Sequence, residues 1–316
     1  MKTKQHKIIK SPYFLLVIAT LIWGGNFVIG RAIAEYIPPY TLSFLRWVAA
    51  LVVFLPIAWS KIYEEKDVIK ENWLPLLWMA VTGIAGFNTL LYIALHYTTS
   101  INASLVNTTA PIIIAVLSFL IIGERLKRNQ IIGVILSVVG VIIIFSQGSL
   151  EVLLGLTFNA GDLIMVAAVI VWGLYSILVR HYVNRLSMYA TLAAAMVMGV
   201  VVLFPFFIWE SFYAGKHIIW NLYSSLTIVY VGVLASVVAF VAWNTAVGEI
   251  GAAKAGIFLN LIAIFAAIFA ILFNNEQLTW YQVVGGSVAV LGVYLSTRQA
   301  TANKKVPASG KLPNKS

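Results

Sequence analysis

Charged and amide side chains inside long apolar runs are the residues of this chain with the clearest capacity for chemistry. Arg46 lies within one such run, and Asn26, Asn107 and Asn260 lie within others. Polar side chains are costly in hydrocarbon, so they are either satisfied between helices or line a water-filled path. Arg46 has two interpretations: its long stem carries the guanidinium to the outer interface, or the cation faces a cavity, where it attracts a carboxylate or organises a gate.

The segment NASLVNTTAP at residues 102–111 is the most polar stretch inside an apolar run of the first half. Pro111 has no N–H and leaves the carbonyl of Asn107 without its helical partner, which predicts a kinked helix with free backbone groups. The alternative is that the small residues of this segment serve only close helix packing. The corresponding run of the second half has Ala263 at the position of the proline but contains Asn260.

Five aromatic residues lie within apolar runs rather than at their ends, where Trp and Tyr of membrane proteins usually occur. They are Trp23, Tyr92, Trp172, Tyr175 and Trp243. A cavity lined by such rings suits an aromatic or amphipathic organic solute. Helix packing or lipid contact is the alternative for each of them.

The other charges close to the apolar runs lie at the ends of these runs. Arg31 has Glu35 four residues on, which predicts an ion pair on a helix surface. Glu124 and Glu276 lie at the ends of corresponding runs, on opposite sides of the membrane, where a structural role in a helix turn is expected. With no Asp or Glu in the middle of a run, a carboxylate proton relay is not supported.

Catalytic and metal-binding motifs do not occur in the sequence. The chain has no Cys, its four His are scattered without zinc-ligand spacing, and it contains no Walker loop, HExxH or nucleophile elbow. We therefore expect no enzymatic activity, no metal and no cofactor.

Composition sets the fold class. Of the 316 residues 61% are hydrophobic and 10% are charged, and the mean hydropathy is +0.94. Soluble domains contain about 45–50% apolar and about 25% charged residues, so a soluble protein is excluded. Because a bilayer-spanning helix needs about 20 apolar residues, the sequence predicts an all-α integral membrane protein with ten transmembrane helices, at residues 12–34, 41–59, 73–95, 101–122, 129–146, 161–180, 188–209, 223–247, 252–274 and 280–297.

The basic residues predict the orientation of these helices. With both termini in the cytoplasm, all of the 21 lysines and arginines lie on the cytoplasmic side except Lys216 and the intramembrane Arg31 and Arg46. Such a bias is the positive-inside pattern of membrane proteins. It accounts for the net charge of +10, so we expect a multi-pass protein of the cell (plasma) membrane that binds no nucleic acid.

The chain contains an internal repeat. A shift of 152 residues aligns residues 94–141 with 246–293, including Glu124 with Glu276, Gly133 with Gly285 and Gly140 with Gly292, and a shift of 149 aligns Trp23 with Trp172. Five helices in each half place the second copy in the membrane upside down, an architecture associated with alternating access. We therefore expect a first repeat at residues 1–146, a second, inverted repeat at 147–298 and a disordered basic cytoplasmic tail at 299–316.

The order of several short motifs resembles the EamA-type branch of the drug/metabolite transporter superfamily. The motifs are WGGNFVIGR at 23–31, PPYTLSFLRW at 38–47, NASLVNTTAP at 102–111, GERL at 123–126, WGLYSILVR at 172–180 and NNEQLTWYQVVGG at 274–286. The resemblance implies ten helices in two inverted five-helix repeats around a cavity between helices 1, 3, 4, 6, 8 and 9. It also implies the residues of a substrate-binding cavity: Trp23, Asn26, Tyr92, Asn107, Trp172, Tyr175, Trp243, Asn244 and Asn260, with Arg46 as the basic residue of the second helix.

These features favour a secondary transporter with a small-molecule substrate in the lipid bilayer. We expect an exporter of amino acids or other small organic metabolites or drugs that works by alternating access. The alternatives are a metabolite importer or exchanger and, from another class, a non-transport integral membrane protein.

Overall fold

The computed structural model describes residues 11–98, 100–155, 159–182, 185–274 and 279–302, and these residues contain helices and turns but no β-strand. Nine of the helices in this part of the chain are long and apolar enough to cross a membrane. Large apolar side chains such as Val52, Ile57, Leu120 and Val201 are exposed on their surfaces. Exposed apolar surface of this extent is what a lipid environment requires, so the chain is a multi-pass membrane protein.

The described residues form ten long helical segments, some of them interrupted. The first five are α1 (Pro12–Ala32), α2 (Pro39–Glu64), α3 (Trp73–Tyr97), α4 (Ser100–Asn107 and Ala110–Ile122) and α5 (Arg128–Phe145). The second five are α6 (Ala160–Tyr182), α7 (Met188–Tyr213), α8 (Leu222–Ile250), α9 (Ala252–Gly256, Ile257–Asn260 and Leu261–Asn274) and α10 (Trp280–Ala302). Short helices at Lys66–Glu71 and Leu150–Leu154 connect α2 to α3 and α5 to α6. The nine candidate membrane spans are α1 to α9, and α10 is not among them.

The predicted spans agree with these helices to within a few residues at most ends. The largest differences are at α2 and α10, which continue for five residues beyond their predicted ends at 59 and 297. The helix α10 therefore extends into the segment assigned to the tail, since no proline or glycine interrupts residues 298–302. The N-terminal segment 1–10, Glu276 and the tail from residue 303 lie outside the described residues.

Four of the helices depart from regular α geometry near their middle. The helix α4 stops at Asn107 and resumes at Ala110, as Pro111 predicts, and α9 has a 3₁₀ turn at Ile257–Asn260. The helices α3 and α8 contain π-helical turns at Ala80–Gly86 and Tyr230–Val238. Such turns leave backbone carbonyls free for other partners and are common at functional sites.

The helices pack in pairs between the two halves of the chain. The helix α1 packs on α8 and α9, α6 packs on α3 and α4, α2 packs on α7, and α5 packs on α10. The α5–α10 contact is the most extensive of these, and glycines face each other within it, Gly133 against Gly292 and Gly140 against Gly285. Small residues let helix backbones approach in this way inside a membrane.

The predicted ion pair between Arg31 and Glu35 is wrong. The helix α1 ends at Ala32, and the Arg31 Nη1 donates to the carbonyl of Leu95 at 2.5 Å. Glu35 lies in the following turn, so the i,i+4 geometry on which the prediction relied does not exist. The described ion pairs are Lys61–Glu64 and Lys70–Asp67, both on the exposed surface.

Candidate functional site

Aromatic rings from four helices form one buried cluster. The rings of Trp23 in α1 and Trp172 in α6 meet edge to face, with centroids 5.2 Å apart and planes at 88°. Trp243 in α8 lies 5.5 Å from Trp23 and 5.4 Å from Trp172, and Phe87 in α3 lies 4.9 Å from Trp172. Phe240 in α8 also contacts both tryptophans. Because its rings come from helices of both halves, the cluster joins the two halves of the chain. Each edge-to-face pair contributes about 0.5–1.5 kcal/mol beyond the burial of its area.

A small cavity borders this cluster. It has a volume of about 10 Å³ and is lined by Trp23, Asn26, Phe27, Phe87, Asn88, Asn107, Trp172, Phe240, Leu259 and Ile262. A cavity of this size holds about one water molecule. The lining comes from α1, α3, α4, α6, α8 and α9, which are the helices that the resemblance implied.

Arg46 lies close behind the cavity wall. Its side chain is fully buried, so the interpretation in which it reaches the outer interface is wrong. The Nε donates to Ser236 Oγ at 2.5 Å, Nη1 donates to Tyr92 Oη at 2.8 Å, and Nη2 donates to the carbonyl of Ala235 at 3.1 Å. The guanidinium carbon is also 5.3 Å from the centroid of the Trp47 ring. No carboxylate of the described residues lies within 4.0 Å of it.

Tyr92 connects this cation to the cavity. The hydroxyl accepts from Arg46 and donates to Asn26 Oδ1 at 3.1 Å, and Asn26 is one of the lining residues. The carbonyl of Ala235 accepts a second hydrogen bond, from Trp23 Nε1 at 3.0 Å. The π-helical turn of α8 therefore supplies the acceptors that hold both the cation and one tryptophan of the wall.

Tyr175 and Asn244 form a second buried polar pair. The hydroxyl of Tyr175 lies 2.9 Å from Asn244 Oδ1 and 2.8 Å from Nδ2. The ring of Tyr175 contacts that of Trp172 with centroids 5.2 Å apart and planes tilted by 37°, and it occupies the space where a side chain at Gly83 would lie. This pair adjoins the aromatic cluster but does not line the cavity.

Asn260, a predicted site residue, contacts α5 and does not line the cavity. Its Nδ2 donates to Ser137 Oγ in α5 at 2.8 Å, and its neighbours Leu259 and Ile262 line the cavity instead. The 3₁₀ turn accounts for this placement, because the sequence-based prediction took α9 to be a regular helix, in which the side chain of Asn260 points in a different direction.

Two indole N–H groups of the cluster have no hydrogen-bond acceptor among the described residues. They are Nε1 of Trp172 and Nε1 of Trp243, and both are buried. A buried donor without an acceptor costs about 1–3 kcal/mol, so a bound solute that supplies an acceptor would regain this energy. No group of three His, Asp or Glu side chains that could hold a metal ion occurs among the described residues.

Some lining residues are missing from the sequence-based set. Asn88 in α3 borders the cavity and is 1% exposed, and the rule that selected the other intramembrane Asn residues would have selected it. Phe87 and Phe240 line the cavity and Ser236 accepts from Arg46, but none of them had such a signal, because a Phe or Ser in an apolar run is common in helix packing.

Comparison with known proteins identifies the family. A sequence model described as the EamA-like transporter family matches residues 10–146 and residues 159–298. The chain belongs to this family. The resemblance found in the motifs is thereby confirmed, and EamA-like membership makes transmembrane transport the class of function.

Relatives of this EamA-like chain extend over nearly its whole length. An uncharacterized transporter of Archaeoglobus fulgidus is 29% identical over 290 residues, which is 91% of this chain and 97% of the relative. The uncharacterized transporter YyaM of Bacillus subtilis is 27% identical over 289 residues, 89% of this chain and 92% of the relative. A protein of known crystal structure is 17% identical with a TM-score of 0.75, covering 93% of this chain and 99% of that one, and this likeness concerns the fold alone.

Proposed function

We propose that this EamA-like protein is a secondary transporter that exports amino acids or other small organic metabolites by alternating access. The observation that carries the proposal is the buried cavity at which α1, α3, α4, α6, α8 and α9 converge, with aromatic walls and amide side chains. Four of the helices that line it are interrupted by a break, a 3₁₀ turn or a π-helical turn. Broken helices at a central site are a feature of secondary transporters.

Two inverted five-helix repeats are part of the proposal, and the contacts support them. Gly133 and Gly140 in α5 align with Gly285 and Gly292 in α10 when the chain is shifted by 152 residues. Gly133 packs on Gly292 and Gly140 packs on Gly285. Replacing each glycine by its repeat equivalent therefore converts one of these contacts into the other. A two-fold axis between α5 and α10 produces this pattern.

The hydrogen bonds follow the same symmetry. Arg31 donates to the carbonyl of Leu95 in α3, and Arg180 of the second half donates to the carbonyl of Gly248 in α8, each at 2.5 Å. The pair of Asn26 and Tyr92 corresponds to the pair of Tyr175 and Asn244, with amide and phenol exchanged. Trp23 contacts Trp172, its own equivalent, as residues beside a two-fold axis do.

Alternating access explains why the cavity is so small. About 10 Å³ cannot hold an organic solute, so α1, α3, α6 and α8 must separate for one to enter. The hinges for this motion are the irregular turns of α3, α4, α8 and α9, where the regular backbone hydrogen bonds of the helix are already interrupted. Two conformations of one fold, exchanged between the halves, would then open the site to each side of the membrane in turn.

The residues around the cavity favour a solute with a planar or apolar body and a hydrogen-bond acceptor such as a carboxylate. The rings of Trp23 and Trp172 and the side chain of Asn107 would contact the body. The unpaired Nε1 atoms of Trp172 and Trp243 and the positive charge of Arg46 would attract the acceptor. We propose the cell membrane as the location, ten spans and both termini in the cytoplasm, on the basis of the basic residues.

Transport assays in proteoliposomes test the proposal. Labelled amino acids and organic cations would be followed in both directions, with and without a pH gradient. We expect saturable movement of a carboxylate-bearing solute, lost in Trp172→Ala. Trp280→Ala is the matched control because Trp280 is 62% exposed and does not line the cavity. Equal loss in both variants, or movement of cations alone, would contradict the assignment of this site.

A further inference from the structure

A groove on the surface of the helix bundle lies between α4 and α5. It has a volume of about 370 Å³ and its lining is wholly apolar: Ile112, Ala115, Val116, Leu126, Ile131, Val134, Ile135, Val138 and Val139. This volume is within the range of about 300–1,000 Å³ that ligand clefts have. Because the groove opens away from the helix bundle, its natural occupant in a membrane is a lipid chain.

One end of this groove carries three cations. Arg125, Lys127 and Arg128 lie in the turn from α4 to α5 and are all exposed. The cleft around Arg125 shares Ala115, Val116, Leu126 and Ile131 with the apolar groove, so the two form one continuous surface. The guanidinium of Arg125 lies 5.1 Å from the centroid of the Phe119 ring. None of the three has a carboxylate of the described residues within 4.0 Å.

The same place also has the positive end of a helix. The helix α5 begins at Arg128 and has 18 residues, so its first backbone N–H groups and its dipole add to the field of the three side chains.

The only carboxylate at this end of the groove, among the described residues, is turned away. Glu124 lines the cleft, but its Oε1 lies in the space that a side chain at Gly251 would occupy, and its Oε2 is buried. Gly251 has a φ of 91°, which permits the turn between α8 and α9 to enclose this carboxylate. The net charge presented to the membrane is therefore strongly positive.

The second half of the chain provides a natural comparison. A groove of about 610 Å³ lies between α9 and α10, and it is lined by residues that correspond to those of the first groove at a shift of 152, such as Ile264, Val283, Val290 and Leu291. The turn that corresponds to the basic one is NNEQLT at residues 274–279, which contains no Lys or Arg. Most of the second lining is apolar too, with Gln282 and Ser287 as its polar side chains, and the three cations belong to the first groove.

We propose that the groove between α4 and α5 binds an anionic phospholipid. An acyl chain fills the apolar groove, and the phosphate is held by Arg125, Lys127 and Arg128. With the orientation proposed above, this lipid belongs to the cytoplasmic leaflet, where anionic lipids attract basic segments. The groove between α9 and α10 takes a lipid chain without selecting for the charge of its headgroup.

Lipid binding to the purified full-length protein tests this proposal. The protein would be delipidated in mild detergent, and binding of palmitoyl-oleoyl phosphatidylglycerol and of the phosphatidylcholine with the same chains would be measured by native mass spectrometry. We expect the first phosphatidylglycerol to bind more tightly than phosphatidylcholine. The variant R125Q/K127Q/R128Q should weaken that site about fivefold for each cation removed and leave phosphatidylcholine binding unchanged.

Two matched controls separate a defined site from general attraction. K61Q/K66Q/K70Q removes three cations from the same side of the protein at a distance from the groove, and it should retain the selectivity. Val139→Trp fills the groove and should abolish the selective site, whereas Leu291→Trp, at the equivalent position of the other groove, should not.

Equal losses in the two triple variants, or equal effects of the two tryptophans, would overturn the proposal. If Val139→Trp does not fold, the comparison of the triple variants still decides it, because their substitutions lie at exposed positions.

Discussion

Neighbouring glycines on α10 allow the close approach of α5 and α10 to be tested with a single methyl group. A Cβ on Gly285 would lie 2.5 Å from the carbonyl oxygen of Gly140, 2.8 Å from Ile144 Cγ1 and 3.0 Å from Ile144 N. A Cβ on Gly286 would have no atom within 4 Å. The substitutions Gly285→Ala and Gly286→Ala add the same atom to the same helix one residue apart.

The expected difference follows from two contributions. Alanine favours an interior helix position over glycine by about 0.8–1.0 kcal/mol, and this gain is the same in both variants. At Gly285 the new methyl group must move backbone atoms of α5 by about 0.9 Å to reach an ordinary contact of 3.4 Å. Overpacking of this kind costs about 1–3 kcal/mol, and a backbone neighbour places it at the upper end. We expect Gly286→Ala to stabilise by about 1 kcal/mol and Gly285→Ala to destabilise by about 2 kcal/mol.

Reversible unfolding in mixed micelles with increasing dodecyl sulfate, followed by circular dichroism, gives both free energies of unfolding. Gly133→Ala belongs in the same series, because its Cβ would lie 2.6 Å from the carbonyl oxygen of Gly292. Under the proposed two-fold symmetry it should destabilise as much as Gly285→Ala. If Gly285→Ala is as stable as Gly286→Ala, the backbones of α5 and α10 do not approach as described and the argument fails.

Three further substitutions address the buried polar network. Tyr92→Phe removes the hydroxyl between Arg46 and Asn26, and it should lower the free energy of unfolding by about 1–3 kcal/mol. Tyr175→Phe should lower it less, because the hydroxyl of Tyr175 pairs with an amide and its removal leaves no charged donor unpaired. Dodecyl sulfate titration of both variants measures the difference. Arg46→Lys keeps the charge but cannot reproduce three hydrogen bonds in fixed directions. The variant should fold and should raise the KM for an acceptor-bearing solute about tenfold. An unchanged KM would remove Arg46 from the site. Trp172→Phe keeps a ring and removes the unpaired N–H, so it should lower affinity for carboxylate solutes while the protein becomes no less stable, which uptake kinetics and melting curves together report.

The helices were predictable because hydrocarbon imposes one period and one length on a spanning segment. Pro111 also revealed the interruption of α4, since proline removes a backbone donor wherever it occurs. The 3₁₀ turn of α9 and the π-helical turns of α3 and α8 contain no proline, so this signal does not reveal them in the sequence.

The candidate site was predictable to the extent that polar residues in hydrocarbon are rare. This criterion located Asn26 and Asn107, which line the cavity. It also located Arg46, but not its partners, because Ser236 and the carbonyl of Ala235 are brought to the cation by the π-helical turn of a helix nearly two hundred residues away in sequence. Direction was the other obstacle, as Asn260 shows: the residue type was informative, and the irregular turn decided where its side chain points.

The side chains of the site follow the proposed two-fold symmetry less closely than the helices do. The cation belongs to α2, whereas α7, which packs on α2, contains no Lys or Arg between Met188 and Tyr213. Of the three buried indole N–H groups without an acceptor among the described residues, those of Trp172 and Trp243 belong to the aromatic cluster and to the second half, whereas that of Trp47 belongs to α2. A carrier with two inverted halves needs similar backbones to exchange conformations, but it does not need similar side chains. Since Arg46 and Trp23 share the carbonyl of Ala235 as an acceptor, any motion of α8 relative to α1 and α2 changes the surroundings of the charge and of the aromatic wall together. Under the proposed alternating-access mechanism, a solute that compensates this charge would bind the two states with different affinity, and such a difference is what drives a change between them.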